Sequence, residues 1–320
     1  MMSLPDFKEK QVLFLITKDG QKLSFQNDNV VIKDKNGKII HQSTCYRLFA
    51  IIIVGHISIT SGLIQRAKKF GFGIAFMTSG FRMYQTISAT AQANVMLRRK
   101  QYEYNSLGAA KALIRNKIEN QRRVISAKRE KSEYDRQTVN RLDGYMIKIN
   151  DAQNIREIMG LEGSASRVYF ASLFDDIAWM GRKPRVKQNM VNSLLDIGYT
   201  ILFCYIEAII ALYGFDEYCG VLHTQFYMRK SLVCDIVEPF RVIIDRQTKK
   251  SVNLGQFKEK DFEIFDGKWC LKYEKSSEYS SVFLKAIMEY KEDIFLYIRE
   301  FYRSFMKGRI DVDFPVWRWE

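Results

Sequence analysis

Hydrophobic and polar positions in the first eighty-odd residues alternate or run in short blocks, with turn residues between them. Residues 12–17 (VLFLIT) form an apolar run closed by Asp19-Gly20, which predicts a strand. Residues 22–25 alternate. Residues 29–33 and 38–40 flank Asp34-Lys35-Asn36-Gly37, and an Asn-Gly pair between two such runs predicts a hairpin. Residues 49–54 (FAIIIV) are continuous and rich in β-branched side chains, the pattern of a strand buried on both faces. Residues 57–60 alternate again. Leu63, Ile64, Ala67 and Phe70 recur at helical spacing between Ser61, a candidate N-cap, and Gly71, a stop. Residues 73–78 and 81–87 read as two further strands.

Beyond about residue 90 the period changes to that of helices. Helices are predicted over 90–126, 152–159, 162–180, 189–213, 231–246 and 276–307, with a short β excursion at 268–273 and an irregular stretch at 314–319. No internal repeat or low-complexity tract interrupts them. The fold class read from this order is α+β, in the segregated sense: an N-terminal β-sheet domain over residues 1–88, then a larger all-α domain over residues 89–320.

Charge narrows the partners. The chain carries 50 Lys and Arg against 36 Asp and Glu, a net +14, which favours a polyanion: DNA, RNA or an anionic membrane. Between Arg98 and Lys131 eleven basic residues face three Glu. Five cysteines at wide spacing, with no C-x-x-C, fit a reducing cytosol better than a disulfide framework or a zinc site. The N-terminus lacks a basic region followed by an apolar one, so no signal peptide is expected. Residues 194–213 reach membrane-spanning length, but Asp196 and Glu207 lie inside them, and a carboxylate in lipid is costly. An all-round apolar core helix is the expectation, with no membrane as partner.

Several chemistries lack their motifs. There is no G-x-x-x-x-G-K-[ST], no G-x-S-x-G and no H-E-x-x-H, and Gly71-Phe72-Gly73 lacks the third glycine of a dinucleotide loop. Of the three histidines, His41 and His56 follow predicted strands and read as turn residues. His223 sits in Gly220-Val221-Leu222-His223, and twelve and fifteen residues later come Asp235 and Glu238. Their i, i+3 spacing puts both carboxylates on one face of a helix whose other positions are apolar. Such a pair is either a solvated face or a buried one that needs a cation, a metal or protonation. Glu162 opens a predicted helix followed by Gly163, Ser164, Ala165 and Ser166. It reads either as an N-terminal Glu favoured by the helix dipole or as a site that a ligand approaches closely.

Taken together, four ordered blocks resemble the CRISPR-associated protein one family, the spacer-acquisition integrases. They are Asn94 to Tyr102 (NVMLRRKQY), Gly160 to Phe170 (GLEGSASRVYF), Asn189 to Tyr199 (NMVNSLLDIGY), and the His223 loop with Ser231 to Arg241 (SLVCDIVEPFR). Met190 and Asp196 depart from the family's proline and asparagine, and the resemblance assigns no role to residues 226–230 (FYMRK). The resemblance implies a Mg²⁺ or Mn²⁺ site of Glu162, His223 and Glu238, with Asp235 as a further catalytic residue beside it. It also implies a homodimer, the β domain serving dimerisation and partner contact, and a ferredoxin-like partner, CRISPR-associated protein two. The implied substrates are double-stranded DNA, prespacer and CRISPR repeat, and the implied location is the cytoplasm.

The implied reaction is a transesterification in which a DNA 3′-hydroxyl attacks a phosphodiester. Two carboxylates and an imidazole suit a hard divalent ion for that chemistry. Arg98, Arg99, Arg182, Lys183, Arg185 and Lys187 are candidate backbone contacts, against the alternative of solvated helix faces. Two other readings compete: a general metal-dependent nuclease acting on branched or single-stranded nucleic acid, and a non-enzymatic DNA-binding scaffold.

Overall fold

The computed structural model describes residues 2–87, 94–177, 179, 181–184, 186–223, 226–307 and 314–320. They group into two compact units, Met1–Val95 with Cys204–Phe215, and Met96–Phe203 with Asp216–Glu320. The division expected between residues 88 and 89 falls outside the described residues, as does Arg185.

The first unit holds two four-stranded sheets. One has the order β1 (Gln11–Ile16), β5 (Leu48–Val54), β7 (Gly73–Met77), β8 (Met83–Ile87), with β5 parallel to both its neighbours. All seven residues of β5 are buried, as its unbroken apolar run requires of a central parallel strand. The second sheet has the order β4 (Ile39–Thr44), β3 (Asn29–Lys33), β2 (Lys22–Gln26), β6 (Ser58–Ile59). The Asn36-Gly37 hairpin is present: Asp34 Oδ1 accepts from the Asn36 and Lys38 amides at 2.9 Å, and Gly37 takes φ +82°. Leu15, Ile51 and Ile53 of one sheet, Leu23, Val30 and Ile32 of the other, and Leu63 and Ala67 of α2 (Ser61–Phe70) share one core. Each of these Leu, Ile and Val side chains contributes about 1.5–3 kcal/mol by leaving water.

Two local readings are corrected here. The N-cap of α2 is Thr60 rather than Ser61, which is the first helical residue. A short helix precedes the strands, α1 (Leu4–Lys8), nucleated by a capping box between Ser3 and Asp6.

Among its described residues the second unit is helical apart from one hairpin, β9 (Phe262–Phe265) with β10 (Lys268–Leu271). The predicted helix over 90–126 is two, α3 (Val95–Glu103) and α4 (Gly108–Ser126). Then come α5 (Glu133–Asp151), which the periodicity did not single out, and α6 (Ile155–Leu173), which joins the two helices expected at 152–159 and 162–180. Glu162 therefore lies in the middle of a helix, and the dipole account of it is withdrawn. Next is α7 (Met190–Tyr213), of which the residues from Cys204 on group with the first unit. The predicted helix over 231–246 is α8 (Ser231–Val237), a 3-10 turn at Glu238–Phe240 and α9 (Arg241–Asn253). Pro239 has no amide hydrogen to continue the ladder, which accounts for the tight turn. The stretch 276–307 divides at Tyr290 into α10 (Ser276–Glu289) and α11 (Lys291–Met306).

Helix α4 is central to this unit. It packs against α5, α6, α8, α9 and the 3-10 turn. Its buried positions include Asn116, Lys117, Asn120 and Gln121 beside Leu113, Ile114 and Ile118. Helix α7 is long and apolar enough to cross a membrane, yet 72% of its most apolar window is buried.

Candidate functional site

Three elements of the helical unit meet at one ammonium. Lys117 of α4 donates from Nζ to Glu162 Oε1 on α6 and to Glu238 Oε2 on the 3-10 turn, the latter at 2.6 Å. Both carboxylates have further donors. Ser166, one turn beyond Glu162, donates to its Oε1 at 2.7 Å, and Arg241 Nε donates to Glu238 Oε2 at 2.9 Å. Lys117 and Glu238 are buried, while the Glu162 side chain keeps 26% of its surface. A buried pair of this kind persists only because each charge is matched and hydrogen-bonded.

Burial alone pushes the Glu238 carboxyl up, but the Arg241 guanidinium and the Lys117 ammonium outweigh it and hold the group down at about 2. Burial likewise works against the Lys117 ammonium, and Glu162 and Glu238 together override it and raise its pKa. The Lys117–Glu238 pair is thus charged at neutral pH. Of the two readings open for Asp235 and Glu238, the solvated face is removed, since both are buried.

Asp235 has a different task. Its Oδ2 accepts from the Val221 and Leu222 amides at 2.6 and 3.0 Å, and its Oδ1 accepts from the His223 amide at 3.0 Å. The same Oδ1 lies 2.6 Å from His223 Nδ1. Three successive backbone N–H groups wrapped on one carboxylate form an anion nest. A carboxylate can only accept, so the ring presents Nδ1–H to it and leaves Nε2 for a ligand. Gly220 makes the wrap possible: a Cβ there would stand 2.6 Å from Asp235 Oδ2 and 2.9 Å from Ser231 Cβ.

Behind Glu238 the polar chain continues. The Arg241 guanidinium lies 4.5 Å from the Tyr199 ring centroid. The hydroxyls of Tyr199 and Tyr169 both donate to buried Asp245, Tyr169 at 3.2 Å. Burial pushes the Asp245 carboxyl up to about 6, against the pull of Tyr199 and Arg241.

The structure therefore joins Glu162 to Glu238 and His223 to Asp235. Among the described residues, no group of three or more His, Cys, Asp or Glu is gathered as metal ligands. The donor set still fits a hard cation, because two carboxylates already converge on one positive charge. Lys117 was missed in the sequence, where it counted as one of eleven basic residues. A signal was present: Asn116 with Asn120, and Lys117 with Gln121, place polar pairs four apart on a helix otherwise apolar there.

The candidate DNA contacts are scattered. Arg98 is half-buried and Arg99 exposed on α3. Arg182 is engaged within the fold, with NH2 2.5 Å from Asp196 Oδ1 and NH1 3.2 Å from Asn192 Oδ1. Lys183 is exposed, and the Lys187 carbonyl accepts from the Trp269 amide at 2.9 Å.

The family model for CRISPR associated protein Cas1 matches residues 14–285. The chain belongs to this family. Among Cas1 relatives, it is 29% identical over 259 residues to a CRISPR-associated endonuclease Cas1 of Francisella tularensis subsp. novicida, covering 78% of this chain and 80% of that one. It is 30% identical over 225 residues to one from Thermodesulfovibrio yellowstonii, covering 66% and 71%. In fold it is similar to a CAS1 protein from Thermotoga maritima, with a TM-score of 0.81 at 20% identity over 94% of this chain and 99% of that one. It is also similar to a casposase bound to integration product, with a TM-score of 0.80 at 20% identity over 96% and 94%. A chain of a Cas6-RT-Cas1–Cas2 complex gives a TM-score of 0.83 at 22% identity over 97% of this chain, which spans 36% of that larger chain. The order of a β-sheet region before a helical one, expected from the periodicity, is the order of this Cas1 fold.

Proposed function

We propose that this Cas1 family member is the enzyme that inserts spacer DNA into a CRISPR array by 3′-hydroxyl transesterification. The observation that carries the reading is the convergence of Glu162 and Glu238 on a single buried cation, with His223 oriented by Asp235 in the same unit. In this reading Glu162, Glu238 and His223 Nε2 hold one Mg²⁺ or Mn²⁺. When bound, that ion supplies Lewis-acid polarisation of the phosphodiester. The chain's own contributions are separate. Arg241 keeps Glu238 ionised, Ser166 orients Glu162, and Asp235 holds the ring by Nδ1 so that Nε2 is left for a ligand. The fourteen-charge excess draws DNA to the protein, with Arg99 and Lys183 as exposed backbone contacts.

Casposase bound to integration product shares the fold, which supports joining over simple cleavage. The Cas1–Cas2 complex among the fold relatives supports a small Cas2 partner, and the β-sheet region is assigned to dimerisation and partner contact. Double-stranded prespacer and repeat as substrates, a homodimer and a cytoplasmic location complete the proposal.

The test is an integration assay with purified protein, its small partner and a supercoiled target. Glu162→Ala and His223→Ala are expected to abolish joined product while the circular dichroism spectrum is unchanged. Normal joining by either folded variant would remove the assignment. Cleavage without joining, when a free 3′-hydroxyl donor is supplied, would favour the general nuclease.

A further inference from the structure

Residues 314–320 lie in no helix or strand, yet Phe314, Trp317 and Trp319 are buried. Their backbone is held by two asparagines of α4. Asn116 Nδ2 donates to the Trp317 carbonyl at 2.6 Å, and Asn116 Oδ1 accepts from the Trp317 amide at 3.0 Å. A side-chain amide and a peptide unit thus pair reciprocally, as neighbouring strands do. Asn120 Oδ1 accepts from the Trp319 amide at 2.9 Å. Its Nδ2 donates to two carbonyls, Trp317 and Pro239, each at 3.1 Å.

The positions matter. Lys117 lies between the two asparagines in sequence, and Pro239 directly follows Glu238. The Trp317 ring packs on Phe240, the last residue of the 3-10 turn, at 4.7 Å between centroids. Segment 314–320 therefore touches both elements that supply the Lys117–Glu238 pair. Apolar packing alone tolerates sliding, but a ladder of amide bonds fixes register, because the bonds are directional and are lost when the partners shift in depth. The side-chain amide of Asn or Gln carries an N–H donor and a C=O acceptor in one plane, as a peptide unit does, and both asparagines are almost fully buried, so each bond made here replaces water.

We propose that segment 314–320 is a positioning strap, which locks α4 to the Glu238–Phe240 turn through Asn116 and Asn120 and so sets the Lys117–Glu238 contact. Its consequence for metal rests on the function proposed above. Its consequence for local structure does not.

The experiment compares the full chain, a chain ending at residue 313, and Asn120→Asp in the full chain. Asn120→Asp keeps the shape and the acceptor for the Trp319 amide but removes both donors. Three quantities are read: hydrogen exchange across 114–121 and 236–241, Mn²⁺ affinity by calorimetry, and joining rate as Mn²⁺ is titrated. Both altered proteins are expected to exchange 236–241 at least tenfold faster and to bind Mn²⁺ at least tenfold more weakly. Their joining rate is expected to recover at saturating Mn²⁺, which a general loss of structure would not allow. A synthetic peptide of residues 314–320 (FPVWRWE), added to the shortened chain, is expected to restore exchange protection, and a scrambled peptide is not. Unchanged exchange at 236–241 in both proteins overturns the strap. If the shortened chain does not fold, Asn116→Asp and Asn120→Asp decide by the same readings. If the full chain binds no Mn²⁺, the metal assignment falls and exchange alone judges the strap.

Discussion

Lys117 Nζ stands 2.6 Å from Glu238 Oε2, with less than a tenth of either side chain exposed. An ammonium at that place does for the two glutamates what a divalent ion would do, and in the proposed site the two would compete for the same carboxylates.

Replacing Lys117 by Met is therefore expected to act in two directions. Metal-free protein should lose roughly 3–5 kcal/mol, the usual cost of leaving a buried charge without its partner. Mn²⁺ affinity should rise, since the internal competitor is gone. Denaturant unfolding and calorimetry measure the two. A fall in affinity would mean that the ammonium supports the ion instead of competing with it.

Asp235 acts on the imidazole and its loop without contacting Lys117 in this arrangement. Asp235→Asn keeps the shape but turns one acceptor oxygen into a donor facing amide hydrogens. Metal affinity or joining is expected to fall by about 10–100-fold, as for other partners that orient a ligating histidine. Glu162 and Glu238 should remain paired through Lys117, so a crystal structure of the variant should show the His223 loop moved and that junction intact.

Gly198 and Gly220 separate stability from function. A Cβ at Gly198 would lie 2.4 Å from Ile244 Cγ2 and 3.0 Å from the Phe283 ring, inside the core. Gly198→Ala should cost about 1–3 kcal/mol by overpacking and leave the metal affinity of the folded fraction unchanged. Gly220→Ala should instead displace the Asp235 nest and weaken metal binding. Thermal melts paired with calorimetry distinguish the two outcomes.

Stability should respond to acid with two opposed slopes. Burial works against the Asp135 carboxylate, but Lys128, Ser172 and Ser132 hold it down at about 2. Its contribution is present above the unfolded value of 3.8 and is lost as pH falls toward about 2. Asp245, pushed up to about 6 by burial, binds its proton more tightly in the folded protein. It favours folding below its unfolded value of 3.8, and that advantage is lost as pH rises through about 6, an effect on the order of 2–3 kcal/mol. Asp245→Asn should flatten the pH 4–6 limb of the unfolding free energy, and Asp135→Asn the limb below pH 4. An unchanged pH 4–6 limb in Asp245→Asn would remove the first assignment.

DNA affinity should fall steeply with salt, because counterion release from phosphates supplies most non-specific binding. Arg99→Ala and Lys183→Ala should each lower the slope of log affinity against log salt by about one. Arg182→Ala should act differently, since its charge is already met by Asp196. A flat salt dependence in the unaltered protein would remove the electrostatic argument.

The strands were legible because each carries its own punctuation: Asn36-Gly37 closes a hairpin, and the unbroken run of β5 can only be central. Helix boundaries were less so. Glu162 looked like a helix start because Gly160 and Gly163 flank it, but α6 runs through both, since packing against α4 and α5 outweighs the propensity cost of two glycines. Pro239 was a visible breaker, although the apolar period hid the 3-10 turn that places Glu238 against α4. The family pattern put Asp235 beside His223 and Glu238 but did not give its bonds to the His223 ring and loop. Neither did any pattern give the pairing of Lys117 with Glu162 and Glu238, which joins residues 45 and 121 positions apart. No local period encodes such a distance.

The bond between Asn120 and the Trp319 amide spans 199 residues. A ribosome therefore releases α4 long before it makes the partner that α4 needs. Until residues 317 and 319 are translated, Asn116 and Asn120 lack the mates they have here. A message cut short upstream of them would give a protein whose central helix is never clasped in this way.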